Sequence, residues 1–356
     1  MRYLAIILLL IGFPVFTFAT ETETDSLLRV LDKVISERSI YTKKREAKIN
    51  ELKQKKTLLE DLEDVININR EIIDQYNSFI CDSAEFYIHE NLSLAKRLDK
   101  QDVIIENQLR LSYIYSLSGL FLQASEIFKS LDYESLTDKN KVQYCWNCIR
   151  YYENLIFYTA ETRHSQEYER VKEEYRDKAM ELLNKDSEEH KKELAQKLQL
   201  EKRFSEAEKL FLSVYYNQVP ETHDYAMAAM ILARLYKDVD NKGLENYFLI
   251  IAAITDTKLA IKENTALLSL AVNLHEQGDI NRAYEYIRVA LDDALFYNAR
   301  FKNSVIARIQ PIIEDTYLQK IYSQQKNLQT YSILTSLFAL VLIISLFYLY
   351  QDRKSV

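Results

Sequence analysis

The sequence predicts an all-α chain, a helical-repeat solenoid fixed to a membrane by one late helix, and three observations predict it. Glycine and proline are scarce, apolar and small residues recur at helix-turn-helix spacing, and an uncharged apolar run lies near the end. The 356 residues include only 4 Gly and 3 Pro, against average usage of roughly 7% and 5%. Gly12 and Pro14 fall near the start, which leaves Gly119, Gly243, Gly278, Pro220 and Pro311 for everything else. So few turn formers cannot serve the tight turns of many strands or a glycine-rich phosphate loop. Nucleotide-loop folds are excluded, and helices remain.

The first element, residues 1–19, reads as a cleaved signal peptide. Arg2 supplies a positive start, Leu4 to Ile11 an apolar stretch too short to span, and Thr17-Phe18-Ala19 small residues at the two positions a signal peptidase reads. Residues 20–80 form a charged helical segment. Within it Leu52, Leu59, Ile66, Ile73 and Ile80 recur every seven residues, a heptad-like seam. A helical hairpin capping the repeats explains this seam, and a coiled-coil homodimer is the alternative. The basic run Lys43-Lys44-Arg45 through Lys56 is interleaved with Glu46 and Glu51 and reads as a solvated face.

Residues 81–310 hold the repeats. Leu111, Ser112 and Tyr115 line one helix, Gly119 makes the turn, and Ala124, Phe128 and Leu131 line the next. Leu270, Ala271 and Leu274 repeat the pattern with Gly278, Ala283, Ile287 and Ala290. A third copy has Leu194, Ala195, Leu198, Ala207, Phe211 and Val214, with Lys202 at the turn. These offsets resemble the tetratricopeptide repeat, in which small residues let paired helices approach closely. The marker position falls at 84, 124, 207, 245 and 283, so a divergent pair is expected between 139 and 184.

Pro311 suits the first turn of a helix, and 311–330 reads as a juxtamembrane helix. Residues 331–350, Tyr331 to Tyr350, carry no charge. As a helix they would rise about 30 Å, the hydrocarbon thickness of a bilayer. Lys320 and Lys326 before the span nearly balance Arg353 and Lys354 after it, so the signal peptide sets the orientation. The body then faces the periplasm, the inner membrane holds 331–350, and 351–356 is a cytosolic tail.

Chemical sites are few. Cys145 and Cys148 form a Cys-x-x-Cys, but it sits inside a helical run with no strand before it and no second ligand pair, so packing is the expected role. The five histidines share no metal-ligand spacing. No cofactor, no metal and no catalytic constellation is expected. The formal net charge of −7 argues against nucleic acid as a direct partner. A protein or peptide partner, or an oligosaccharide, fits the concave face of such an array. Counting one, four and five places from the small residue of each first helix gives Tyr113 and Ser116, Gln196 and Gln199, and His275 and Glu276 as groove residues.

The order of parts, with ICDSAEFYIHENLSLAKRLDK (80–100) and LRLSYIYSLSGLFLQASEIFKSL (109–131), resembles the membrane-bound tetratricopeptide regulators of Bacteroidetes, a group that includes the starch-utilisation regulator. The resemblance covers residues 1–350. It implies that outer repeats sense a signal, often a glycan breakdown product, for a cytosolic DNA-binding part. Only six residues follow Tyr350, too few for a helix-turn-helix, so direct DNA binding by this chain is not expected. The resemblance thus implies either a shortened relative or action through another membrane protein.

Overall fold

The computed structural model describes residues 21–159, 162–263, 265–298 and 300–354. The signal-peptide reading of 1–19 lies outside them. Among the described residues there are fifteen α-helices and no strand. They are α1 Glu21–Ser36, α2 Arg38–Lys56, α3 Leu62–Tyr76, α4 Cys81–Arg97, α5 Gln101–Ser118, α6 Phe121–Ser130, α7 Asp138–Tyr158 and α8 Arg163–Leu182. Then follow α9 Glu188–Leu200, α10 Phe204–Asn217, α11 His223–Asp238, α12 Lys242–Lys258, α13 Thr265–Glu276, α14 Ile280–Tyr297 and α15 Arg300–Lys354. From α3 to α14 they pack as consecutive pairs, and α7 with α8 fills the stretch where no marker was legible.

Local chemistry sets the boundaries. Asp61 starts α3 by accepting hydrogen bonds from the amides of Glu63 and Asp64 at 2.7 and 3.2 Å. Thr137, Ser187, Thr222 and Asp279 cap α7, α9, α11 and α14 in the same way. At several turns between successive helices the chain passes through a left-handed residue. Gly119 and Gly278 do this at φ 79° and 87°, but Asp99, Lys202 and Asp240 do so with side chains, at 54°, 60° and 56°. A chain poor in glycine therefore accepts some backbone strain at its turns. No heavy atom would meet a Cβ at Gly278, so Gly278→Ala is expected to cost about 1 kcal/mol from backbone conformation alone. Thermal unfolding followed by circular dichroism measures it; an unchanged midpoint would show the turn to be unconstrained.

Small residues sit where helices touch: Ala84, Ala124, Ala195, Ala207, Ala271 and Ala283 are each 0% exposed. At 245 the marker is Glu245, itself buried, with Lys242 Nζ 3.2 Å from its carboxylate. Three apolar clusters result. One joins α9 to α14 with Leu28 and Leu31 of α1. A second joins α2 to α5 with Ala260 and Tyr297, and a third lies among α5, α6, α7 and α8. Among the described residues no cluster spans α8 and α9. That junction is polar instead: Arg176 Nε lies 3.0 Å from Glu193 and Arg176 Nη2 2.9 Å from Gln196 Oε1.

The array curls until its last helices meet its first, and the result is a ring. Tyr297 of α14 donates its hydroxyl hydrogen to the Asn77 carbonyl at 2.7 Å, and the Lys262 amide donates to Ser78 O at 2.7 Å. Phe79 and Phe296 lie 5.1 Å apart, ring to ring. Arg38 of α2 pairs with Asp292 at 2.8 Å. Asp32 of α1 accepts from Tyr286 at 2.6 Å and from Arg282 at 3.0 Å. α1 thus lies across α12 and α14, while α2 and α3 form a helical hairpin at the seam.

The hairpin reading of the heptad-like seam fits the structure, because the chain reverses between α2 and α3 and again before α4. Leu59 lies in the first loop and Ile80 is the residue preceding α4, while Leu52 and Ile73 join a core with Ala84, Ile88 and Tyr297. The seven-residue recurrence records inward-facing positions of separate helices. One expectation changes: Pro311 is not in a first turn, because α15 starts at Arg300 and runs through it. A proline inside a helix removes one hydrogen bond and costs about 3 kcal/mol. Packing on both sides holds the helix together here. Val305 and Ile306 before it and Ile313 after it are buried, and Tyr317 stacks on Tyr284 at 4.0 Å.

Beyond Lys320 the helix leaves the ring. It contains an 18-residue window of mean hydropathy 2.2, none of it buried within the protein, the composition of a bilayer span.

Candidate functional site: the lumen of the ring

Closing the array leaves a half-open cavity of about 1100 Å³. Its wall is built from α2, α3, α5, the starts of α7 and α11, and the end of α12. The α2 wall follows from spacing: Tyr41, Arg45 and Lys48 continue one helix face towards buried Ile49 and Leu52. Arg45 uses all of its donors at the seam. Nε donates to Gln75 O at 3.0 Å, Nη1 to Leu259 O and Ala260 O at 2.9 and 3.3 Å, and Nη2 to Gln75 O and to Ser78 Oγ at 3.0 Å. These oxygens lie near the ends of α3 and α12, where helix carbonyls lack intrahelical partners. No carboxylate faces Arg45, and burial lowers its pKa to about 10, so it stays charged at neutral pH.

Several other charges on the wall are paired. Arg110 binds Asp74 at 2.6 Å and Glu106 at 3.2 Å, and Arg70 also binds Glu106, at 2.7 Å. Burial would raise the Glu106 pKa, but the two guanidiniums outweigh it and the net shift is downward. Lys258 pairs with Glu221 at 2.6 Å. His223 Nδ1 lies 3.2 Å from Asp256; burial disfavours its charged form, yet the carboxylate prevails and its pKa is raised. Past α9, Glu153 of α7 reaches Arg234 of α11 at 3.9 Å and Arg150 at 3.5 Å. Tyr113 projects from α5, and burial pushes its phenol pKa up. Phenols, amides and fixed charges around one cavity can bind a polar ligand by hydrogen bonds and ring stacking.

Of the six groove residues expected from sequence, only Tyr113 lines this lumen. Ser116 is 0% exposed and donates to Ser112 O at 2.7 Å. Gln196 is taken up by Arg176, and Gln199 donates to Asp238 at 2.7 Å. His275 Nε2 meets Thr316 Oγ1 of α15 at 3.1 Å, and Glu276 is exposed, 3.7 Å from Lys242. The counting rule fails for a geometric reason. Four places on is only about 40° around a helix, so Ser116 stays on the buried side with Ser112, whereas one place on, Tyr113, is about 100° away. The lumen face of α5 runs backwards instead, through Arg110, Leu109, Glu106 and Asp102. The sequence presents the basic run of α2 as a solvated face, but Arg45 within it is a half-buried seam residue, and its i+4 relation to buried Ile49 is the signal that marks it.

Cys145 and Cys148 are both buried and unbridged. Burial raises both thiol pKa values, which disfavours thiolate chemistry. Replacing both with Ala is expected to cost about 1–3 kcal/mol, the scale for small buried side chains. Loss of function with an unchanged melting temperature would instead indicate redox or metal chemistry. Among the described residues no cluster of three His, Cys, Asp or Glu side chains could hold a metal.

Residues 35–308 match the family described as the SusR N-terminal TPR domain. The chain belongs to that family. No curated protein matches it. The matched span runs from the end of α1 to the first turns of α15, so the SusR-type TPR domain contains the ring and its lumen, and the apolar helix follows directly.

Proposed function

We propose that this chain is the sensory part of a membrane-anchored regulator of nutrient use. The ring stands on the periplasmic side of the inner membrane and takes a ligand, an oligosaccharide or a peptide, in its lumen. The observation that carries this reading is the overlap of wall and seam. Arg45, Gln75, Ser78 and Leu259 line the cavity and at the same time join the first helices to the last. The last pair packs directly on α15 through Tyr284–Tyr317 and His275–Thr316. A ligand that favours the open or the closed seam therefore biases the position of the helix that enters the bilayer.

The test is to alter α15 between the ring and the span. Inserting one residue after Gln329 turns the span by about 100° relative to the ring, and seven residues restore the face. A signalling helix should lose its effect on the transcripts that change on gene deletion with one inserted residue and regain it with seven. A scaffold for envelope-protein assembly, held by a plain anchor, would tolerate both insertions and an unrelated span. Indifference to all of these would overturn the signalling reading.

A further inference from the structure

We infer that the lumen takes an acidic oligosaccharide, one bearing carboxylates on its sugar rings; this rests on the lumen being the ligand site. The chain as a whole is acidic, at −7, but the lumen wall is not: six Lys or Arg face five Asp or Glu there, a net of +1. Arg110 is compensated by Asp74 and Glu106, and Lys258 by Glu221. Lys44 and Lys139 line the cavity, and among the described residues no carboxylate is in contact with them. Arg45 adds a third charge whose hydrogen bonds all go to neutral oxygens.

Two carboxylates on the wall remain. Asp102 sits in the first turn of α5, where the helix dipole offsets it, and Glu263 is already engaged. The starts of α7 and α11 face the same space and add positive partial charge, a supporting effect only. A ligand carboxylate beside Lys44 or Lys139 would make charge-assisted hydrogen bonds that no described residue makes.

The remainder of the wall suits sugar rings. Tyr41 and Tyr113 are half-buried and offer apolar faces with a polar edge. Gln75, Asn140 and Gln143 present amides, which donate to and accept from hydroxyls. The volume of about 1100 Å³ accepts several sugar units rather than one.

Calorimetry on the full chain in nanodiscs, with trigalacturonate, maltotriose and trialanine as probes, tests this. Trigalacturonate should bind at least about tenfold more tightly than either other probe, one charge-assisted contact being worth that order. Its affinity should fall with added salt. Lys44→Gln and Lys139→Gln, at exposed positions without partners, should each weaken it several-fold with the melting temperature unchanged. Equal affinity for maltotriose, or no response to either lysine, overturns the acidic assignment and leaves the lumen reading standing. Trialanine binding as tightly would overturn the sugar, and binding of none of the three would overturn the inference. Asn140→Trp places a large ring in the cavity. If trigalacturonate binding survived it undiminished, the site would lie elsewhere and both readings would fall.

Discussion

Replacing Arg45 with alanine is expected to open the ring. The guanidinium donates to the carbonyls of Gln75, Leu259 and Ala260 and to Ser78 Oγ, drawing the end of α3 onto the end of α12. Without it these oxygens lose a charged donor and turn to the water of the cavity. The cost is about 1–3 kcal/mol, the scale for hydrogen bonds to a charged group. For a domain of this size that is a drop in melting temperature of roughly 5 °C. Lysine should not rescue it, because a single ammonium cannot span four acceptors laid out for a planar fork. Small-angle scattering should report a larger radius of gyration, since Tyr297–Asn77 and Lys262–Ser78 depend on the same approach. An unchanged radius with a lowered melting point would mean that Arg45 stabilises the seam locally without holding it shut.

The second large effect lies across the ring, at α8 and α9. Arg176 and Glu193 have side chains only 2% and 4% exposed. Burial pulls the Arg176 pKa down, but Glu193 and Glu173 more than restore it, so the guanidinium stays charged. Arg176→Met leaves Glu193 buried without its main partner, a loss of about 3–5 kcal/mol. Arg176→Met with Glu193→Leu should recover most of that, because Glu173 keeps 30% exposure and can turn to water. Among the described residues no apolar cluster bridges this junction, so the loss falls on a contact backed only by the seam, where Ala260 and Tyr297 share a core with α2–α5; unfolding should stay one transition with its midpoint lowered. A midpoint unchanged in Arg176→Met would show that the pair adds no net stability.

Much of the fold was legible because helix pairing leaves local marks. The small residues Ala124, Ala207 and Ala283, the left-handed turns at Gly119 and Gly278, and the apolar run after Tyr331 are each decided within a few residues. The α7/α8 pair was not legible, since its close contacts use bulky Tyr144, Tyr152 and Tyr175 rather than a small-residue marker. The turns at Asp99 and Asp240 were hidden because a left-handed aspartate looks like any polar loop residue. Ring closure was the largest omission. Arg45 and Leu259 are separated by more than two hundred residues, and no local periodicity announces that two distant helix ends will meet. The same gap explains the site. Tyr113 was found because it lies beside a repeat marker. Lys44, Arg45 and Lys139 come together only when the array closes, and a basic residue on an amphipathic helix reads first as a solvated one.

The closed ring itself is tested most directly by a distance across the seam. Arg38 and Asp292 approach to 2.8 Å, and both keep enough exposure to accept a label, at 34% and 58%. The native cysteines are buried and should react poorly. Spin labels at Arg38→Cys and Asp292→Cys, measured by pulsed electron resonance on the full chain in nanodiscs, should give one short, narrow distance population. Adding Arg45→Ala should broaden it and move it outward. A broad, long distribution in the otherwise unaltered chain would mean that the repeats form an open superhelix, with no enclosed lumen for a ligand to fill.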